Sequence, residues 1–346
     1  MSETSIINFA SDNAAPVCPQ LMEALARENA GPALGYGNDN TTRQMEERFR
    51  DLFGCNVRAF PVSTGTAANV LGLGTLAPPY GSIYCHTLSH IQEDECGAPE
   101  FFSGGAKLAL LDGEDGKLTA EQLDKAIATS GKGVVHHVQP AVISLTQATE
   151  AGTIYQPEEV RSIGDVAKHH GLSLHMDGAR FANAVVSLGC EPADITWKAG
   201  VDVLSFGATK NGAMAVEAVI YFNADKAEEF EFRRKRGAHL FSKLRYLSAQ
   251  LDVYLRDGLW LENASQANRM ADRLATGLRR TGYEPLHPVE ANILFVSLPL
   301  DRIRKLEQSG FLFYVMGKNG EQGKVRLVTS WDTTEQDVDL FLSCLG

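Results

Sequence analysis

The order of apolar runs predicts an α/β fold: a large domain with a mostly parallel sheet between helices, then a smaller C-terminal α/β domain. Two observations carry this. From about residue 60 to 222, short apolar segments alternate with helical patterns, as strand-helix-strand crossovers require. After residue 225 the alternation gives way to a charged helical stretch and then an αβ-like tail. A chain of 346 residues that is 44% hydrophobic and 22% charged has material for one sizeable core and a second, smaller one. We set the limits at 1–14 for an N-terminal arm, 15–255 for the large domain and 256–346 for the small one.

Each element has a local reason. GSIYC (81–85), AKLALL (106–111), GVVHHV (133–138), AVISL (141–145), GLSLHM (171–176), VDVLSF (201–206) and AVIYF (218–222) are short and apolar, and are read as strands. The clearest helix is 157–170. Pro157 opens it, Glu158 and Glu159 suit its positive end, Val160, Ile163, Val166 and Ala167 share a face, and Gly171 stops it. The strand that follows delivers Asp177 to its carboxyl end, where open α/β sheets bind ligands. Residues 227–258 read as one long charged helical stretch, and a further helix lies around 264–281. Strands 292–298 and 324–329, with helices 301–309 and 334–344, build the small domain.

Composition narrows the partners. A net charge of −11 repels polyanions, and the single basic run from Arg233 to Arg236 is too short to reverse it, so no nucleic acid is expected. No stretch reaches the roughly 20 apolar residues of a membrane span, and the start MSETSIINFASDN lacks the basic and apolar parts of a signal peptide. A cytoplasmic protein with no membrane partner is therefore expected. The six cysteines are scattered without CxxC spacing, which predicts reduced thiols and no metal site.

Two stretches bear on chemistry. LSLHMDGARFANA (172–184) puts Asp177 at a strand end, and DVLSFGATKNGAM (202–214) puts Lys210 just after another. An enzyme that uses pyridoxal phosphate needs a lysine amine for the Schiff base and a carboxylate that keeps the pyridine nitrogen protonated. Asp177 alone reads equally well as a helix cap. Lys210, however, sits among small residues, where burial favours the free amine. Thr64, Gly65 and Thr66 precede a helical run, and amides at a helix start suit a phosphate. Arg180 and Arg326 are each able to grip a carboxylate with two parallel hydrogen bonds, or to pair with a neighbouring acid. His90 precedes the acidic cluster Glu93-Asp94-Glu95 and suits stacking on an aromatic ring or moving a proton; His86, His136 and His137 are further bases.

In combination these motifs resemble the low-specificity L-threonine aldolase family, pyridoxal-phosphate-dependent enzymes of the β-eliminating lyase group with the aspartate aminotransferase architecture, fold type I. The likeness runs from FASDNAAP (9–16) and GYGND (35–39) through STGTAAN, SHIQEDECGAP, HMDGARFANA and SFGATKNGAM to RLVTSW (326–331). It implies a lyase that cleaves threonine, allo-threonine or a related β-hydroxy-α-amino acid to glycine and an aldehyde. By this resemblance Lys210 forms the Schiff base, Asp177 partners the pyridine nitrogen, and His90 stacks on the ring. Gly65 and Thr66 hold the phosphate, Arg180 contacts cofactor and substrate, and Ser11 and Arg326 receive the substrate carboxylate. A homotetramer built from dimers is also implied, with Tyr36 and a basic residue such as Lys235 or Arg245 reaching the neighbouring site.

One segment departs from the family. Many members carry a glutamate-asparagine-threonine-histidine motif where this chain reads SLTQATEAGTIY (144–155), with no histidine. The proton acceptor is then open among Thr149, Glu150, His86 and water. The cofactor residues also leave room for a phenylserine-preferring aldolase, another pyridoxal-phosphate lyase or transaminase, or a cofactor-binding protein without turnover.

Overall fold

The computed structural model describes residues 6–345. The first five residues of the expected arm, and Gly346, lie outside the described residues. Twelve strands follow in chain order: β1 (Ile7–Asn8), β2 (Arg58–Val62), β3 (Gly81–His86), β4 (Lys107–Leu111), β5 (Gln139–Thr146), β6 (Ser173–Gly178), β7 (Val203–Gly207), β8 (Glu217–Tyr221), β9 (Ile293–Pro299), β10 (Phe311–Leu312), β11 (Tyr314–Asn319) and β12 (Gln322–Val328).

Seven of them form one sheet in the order β2-β8-β7-β6-β5-β3-β4. All pairings are parallel except those of β8, which runs against both β2 and β7. Strands β3, β7 and β8 are buried along their whole length, as expected where helices cover both faces. Helix Gly65–Leu76 is buried from Ala67 to Gly74 without interruption, so it lies inside the domain with no solvent face there. The smaller antiparallel sheet runs β11-β12-β9, and β1 pairs in parallel with β10.

Two cores follow this division. The larger gathers Phe49, Phe53, Phe181, Phe206 and Trp260; the smaller gathers Phe9, Phe311, Phe341 and the apolar face of β9 and β12. Helix Leu259–Arg280 serves both, with Leu259, Trp260 and Ala264 in the first and Met270, Leu274 and Leu278 in the second. The described part of the arm is anchored as well: Phe9 is fully buried, edge-on to Phe341 with ring centroids 5.2 Å apart.

Helix Pro157–His170 and its stop at Gly171 agree with the expectation. Two expectations are corrected. GVVHHV is a turn, because Gly131 and Gly133 adopt φ of 79° and 87°, the chain folds back through Val134 N–H to Gly131 O, and Val135 is 91% exposed. The stretch 227–258 is two helices, Glu228–Arg236 and Arg245–Tyr254. Between them Ala238 turns left-handed at φ 63°, and the chain leaves the helix to bring His239 Nδ1 within 3.1 Å of Ser63 Oγ. Among the described residues no helix is long and apolar enough to cross a membrane.

Candidate active site

The carboxyl ends of β2, β3, β5, β6 and β7, together with the start of the reversed β8, converge on a cleft of about 290 Å³. Its wall includes Thr64, Gly65, Thr66, Asn69, His90, Glu150, Asp177, Arg180, Lys210 and Glu217. Asp177 and Lys210 come together because β6 and β7 are paired neighbours. The close approach of their ends needs Gly207, where a methyl group would strike the Ala179 backbone.

Asp177 is buried, and both of its oxygens are occupied. Oδ1 accepts from Ala179 N–H at 3.0 Å and Oδ2 from Asn69 Nδ2 at 2.7 Å. The same Asn69 nitrogen donates to Glu95 Oε1 at 2.9 Å, and that oxygen lies 2.8 Å from His90 Nδ1. A chain of contacts therefore runs from Asp177 through Asn69 and Glu95 to His90. The hydrogen bond to Glu95, with the charge of Asp177, raises the His90 pKa, while burial raises that of Glu95. The two shifts thus have different origins, and together they hold a proton between the pair. Ligand atoms of His90, Glu95 and Asp177 lie within 4.8 Å of one another, a closeness that hydrogen bonding through Asn69 accounts for.

Lys210 stands in a single turn, Thr209–Asn211, after β7. It has no hydrogen bond or ion pair among the described residues. Burial, and then the charge of Arg180, lower its pKa against the pull of Asp12, Asp177 and Glu217. Glu217 faces the same space; its Oε2 accepts from Ala208 N–H at 2.7 Å, and burial raises its carboxyl to about 7.

At the start of helix Gly65–Leu76, Thr64 Oγ1 caps Ala67 N–H at 3.1 Å, which leaves the amides of Gly65 and Thr66 without acceptors among the described residues. A methyl on Gly65 would meet nothing within 4 Å, and Gly65 and Thr66 both line the cleft. Open amides at a helix start, a carboxylate fixed at a strand end and a partnerless amine fit the phosphate, ring nitrogen and aldehyde of pyridoxal phosphate.

Arg180 is in the cleft wall, but its Nε and Nη2 donate to Asp12 at 2.7 and 2.8 Å. Of the two alternatives for this arginine, pairing with an acid takes one edge, which leaves Nη1 and the second hydrogen of Nη2 as donors for a ligand. Burial favours the neutral form of Asp12, yet the charges of Arg180 and Lys210 prevail and lower its pKa. Arg326 and Ser11 lie beside this pair, not in the wall. Arg326 Nη1 donates to Ala10 O at 3.2 Å, and Ser11 Oγ accepts from Asn13 N–H at 3.1 Å. Tyr36 is 51% exposed and outside its own chain's cleft, with Lys235 Nζ 4.9 Å from the ring centroid, while Arg245 donates to Gly31 O.

The candidate bases separate cleanly. His86 donates to Gly113 O and accepts from Leu88 N–H, His136 and His137 sit in the turn before β5 at the far end of the sheet, and Thr149 is buried against Thr153. Only Glu150 of that group reaches the cleft. Sequence reasoning did not single out Asp12, Asn69, Glu95 as an individual residue, or Glu217. The one signal available was the acidic cluster after His90.

A family model described as beta-eliminating lyase matches residues 8–300. A low specificity L-threonine aldolase of Pseudomonas aeruginosa is 45% identical, over 94% of this chain and 93% of its own. Among solved structures, a threonine aldolase of Leishmania major superposes with a TM-score of 0.92 at 29% identity, covering 98% of each chain. A serine palmitoyltransferase structure with pyridoxal phosphate bound, 18% identical, shares the fold at a TM-score of 0.71, covering 98% of this chain and 86% of that one.

Proposed function

The chain belongs to the beta-eliminating lyase family, and on that premise we propose that it is a pyridoxal-phosphate-dependent aldehyde-lyase cleaving L-threonine, L-allo-threonine or related β-hydroxy-α-amino acids to glycine and an aldehyde. The observation that carries the reading is Lys210, an amine without a partner among the described residues, held near a carboxylate fixed by two hydrogen bonds. The likeness to named threonine aldolases supports the choice of substrate.

In this reading the amides of Gly65 and Thr66 hold the cofactor phosphate, Asp177 faces the ring nitrogen, His90 lies against the ring, and Lys210 offers the amine for covalent attachment. When bound, the cofactor supplies a sink for the electron pair released at the amino acid's Cα. Asp177, held in place by the Asn69 and Ala179 donors, faces the ring nitrogen and would stabilise a proton there. Arg180 Nη1, with Arg326 and Ser11, orients the substrate carboxylate, which sets the Cα–Cβ bond in the position to break. The Asp12 pairing keeps the Arg180 plane from rotating as the substrate enters.

The reading extends to a homotetramer of dimers with shared sites, in which Tyr36 serves the neighbouring cleft. Phe101 and Phe232, each 79% exposed and lining one groove, support a contact between copies. A cytoplasmic location is supported by six cysteines that are all free; the two cores support a large and a small domain, here set at 15–255 and 256–346 after an arm at 1–14, with helix Leu259–Arg280 shared between the cores.

The test is product analysis on a panel of threonine, allo-threonine and phenylserine of both chiralities. Glycine with the matching aldehyde is expected; ammonia with a keto acid, or cofactor binding without product, would refute the assignment.

A further inference from the structure

Retro-aldol cleavage requires a group that takes the proton of the β-hydroxyl, and the cleft offers few. Asp177 has both oxygens hydrogen-bonded, and Glu217 holds the Ala208 N–H beside Lys210. Lys210 is the amine that the cofactor would engage; His90 and Glu150 remain, and they are joined. Glu150 Oε1 accepts from the His90 backbone N–H at 2.8 Å and from Thr146 Oγ1 at 2.9 Å, which fixes the carboxylate beside the histidine. Its second oxygen, Oε2, is buried and has no partner among the described residues. A buried acceptor without a donor is uncommon in a folded protein, and Glu150 belongs to the wall of the cleft, so an incoming O–H that meets this carboxylate would supply the missing donor. The oxygen is also shielded from bulk water, so no solvent hydrogen bond weakens it as a base.

We propose that Glu150 is the acceptor of the β-hydroxyl proton, a role that rests on the aldolase reading. As the O–H bond breaks, its proton passes to Glu150 and its electron pair becomes the second C–O bond of the departing aldehyde. The Cα–Cβ pair stays at Cα, where a proton taken up from water completes glycine. The surroundings divide this task from that of His90. Burial, and then the charge of Asp177, raise the Glu150 carboxyl to about 7, whereas Glu95 helps His90 keep its proton. The other ionisable groups facing Glu150 are Cys85 and Tyr155, and burial holds both protonated.

Glu150→Gln keeps an oxygen for the His90 and Thr146 donors and removes the acceptor. In the cofactor-loaded enzyme, glycine release from L-threonine should fall about 10²–10⁴-fold. Cofactor absorbance, glycine affinity and exchange of the glycine Cα hydrogen into deuterated water should be retained. The ascending limb of kcat near pH 7 should vanish, and Glu150→Asp should fall between variant and parent. Parent-like glycine release by Glu150→Gln overturns the proposal. So does joint loss of absorbance, glycine binding and exchange, which would make Glu150 a support of the cofactor. If the parent itself releases no glycine, the aldolase reading fails and this proposal with it; an active parent beside an equally active Glu150→Gln fails the proposal alone.

Discussion

The ends of β6 and β7 each present one ionisable side chain to the cleft, and they are built in opposite ways. Asp177 on β6 has a donor on each oxygen, and one donor, Asn69, is itself tied to Glu95. Lys210, just past β7, has no hydrogen bond among the described residues, and its environment depresses its proton affinity. The contrast follows from what each must do. A carboxylate that stabilises a positive charge on a neighbouring ring acts by staying in place, and each donor helps to fix it there. An amine that must form and release a covalent bond needs its lone pair free, so a strong partner would oppose it.

Lys210→Ala breaks the loose side of this contrast and should have the largest effect. Glycine release from threonine should fall about a thousandfold or more, and borohydride reduction should leave no cofactor on the peptide that carries residue 210. Label on another lysine in the parent would defeat the assignment. Asp177→Asn breaks the tied side: turnover should fall about a hundredfold while borohydride still traps cofactor on Lys210. Parent-like turnover would show that the fixed charge is not required.

A third experiment asks what the tied side stands on. His175, two residues before Asp177, bridges Ser144 Oγ on β5 at 2.9 Å and Ser205 Oγ on β7 at 3.1 Å, and burial drops its pKa to about 4. The unfolded chain takes up a proton below its ordinary value of 6.5, whereas the folded chain resists it to about 4. The stability is therefore fully present above pH 6.5 and is lost as pH falls through that window. In urea unfolding of the cofactor-free protein, His175→Asn should shrink the difference between pH 7 and pH 4 by about 3 kcal/mol. Parallel pH curves for parent and variant would refute a buried neutral imidazole. The smallest effect is expected from Asn69→Ala, which removes one donor from Asp177 and leaves Ala179 N–H in place. Turnover should fall about tenfold, with cofactor retained; no change in kcat would mean that the Ala179 donor suffices.

Much of this arrangement was legible in the chain. Asp177 was placed at a strand end because Gly171 stops one helix and an apolar run follows at once, and Lys210 stood out as a lysine among small residues after a buried strand. These are local signals. The tie between Arg180 and Asp12 spans 168 residues and that between Asn69 and Asp177 spans 108, with no periodicity to announce either. GVVHHV misled because β-branched residues outweighed two glycines that turn the backbone left-handed. The stretch 227–258 misled because its charged residues continue past Gly237 as though the helix did, while the contact of His239 with Ser63 is tertiary. Glu150 could be suspected from its place in the chain, but its unpaired oxygen belongs to the folded state alone.

The reversal of β8 has a consequence for how this site can change. Elsewhere around the cleft a strand runs out into a crossover whose length can drift at little expense to the sheet. Residues 208–216 instead form a closed span, because Gly207 and Glu217 face each other in the ladder. The span is latched again by Thr209 Oγ1, which donates to Val216 O at 3.2 Å and accepts its N–H at 3.1 Å. Lys210 is therefore held like a stone in a ring setting, its reach fixed by the perimeter. A single insertion there would shift either the lysine or the register of β8, and Glu217 with it, so changes in specificity have room to arise in the open crossovers and little room in this span.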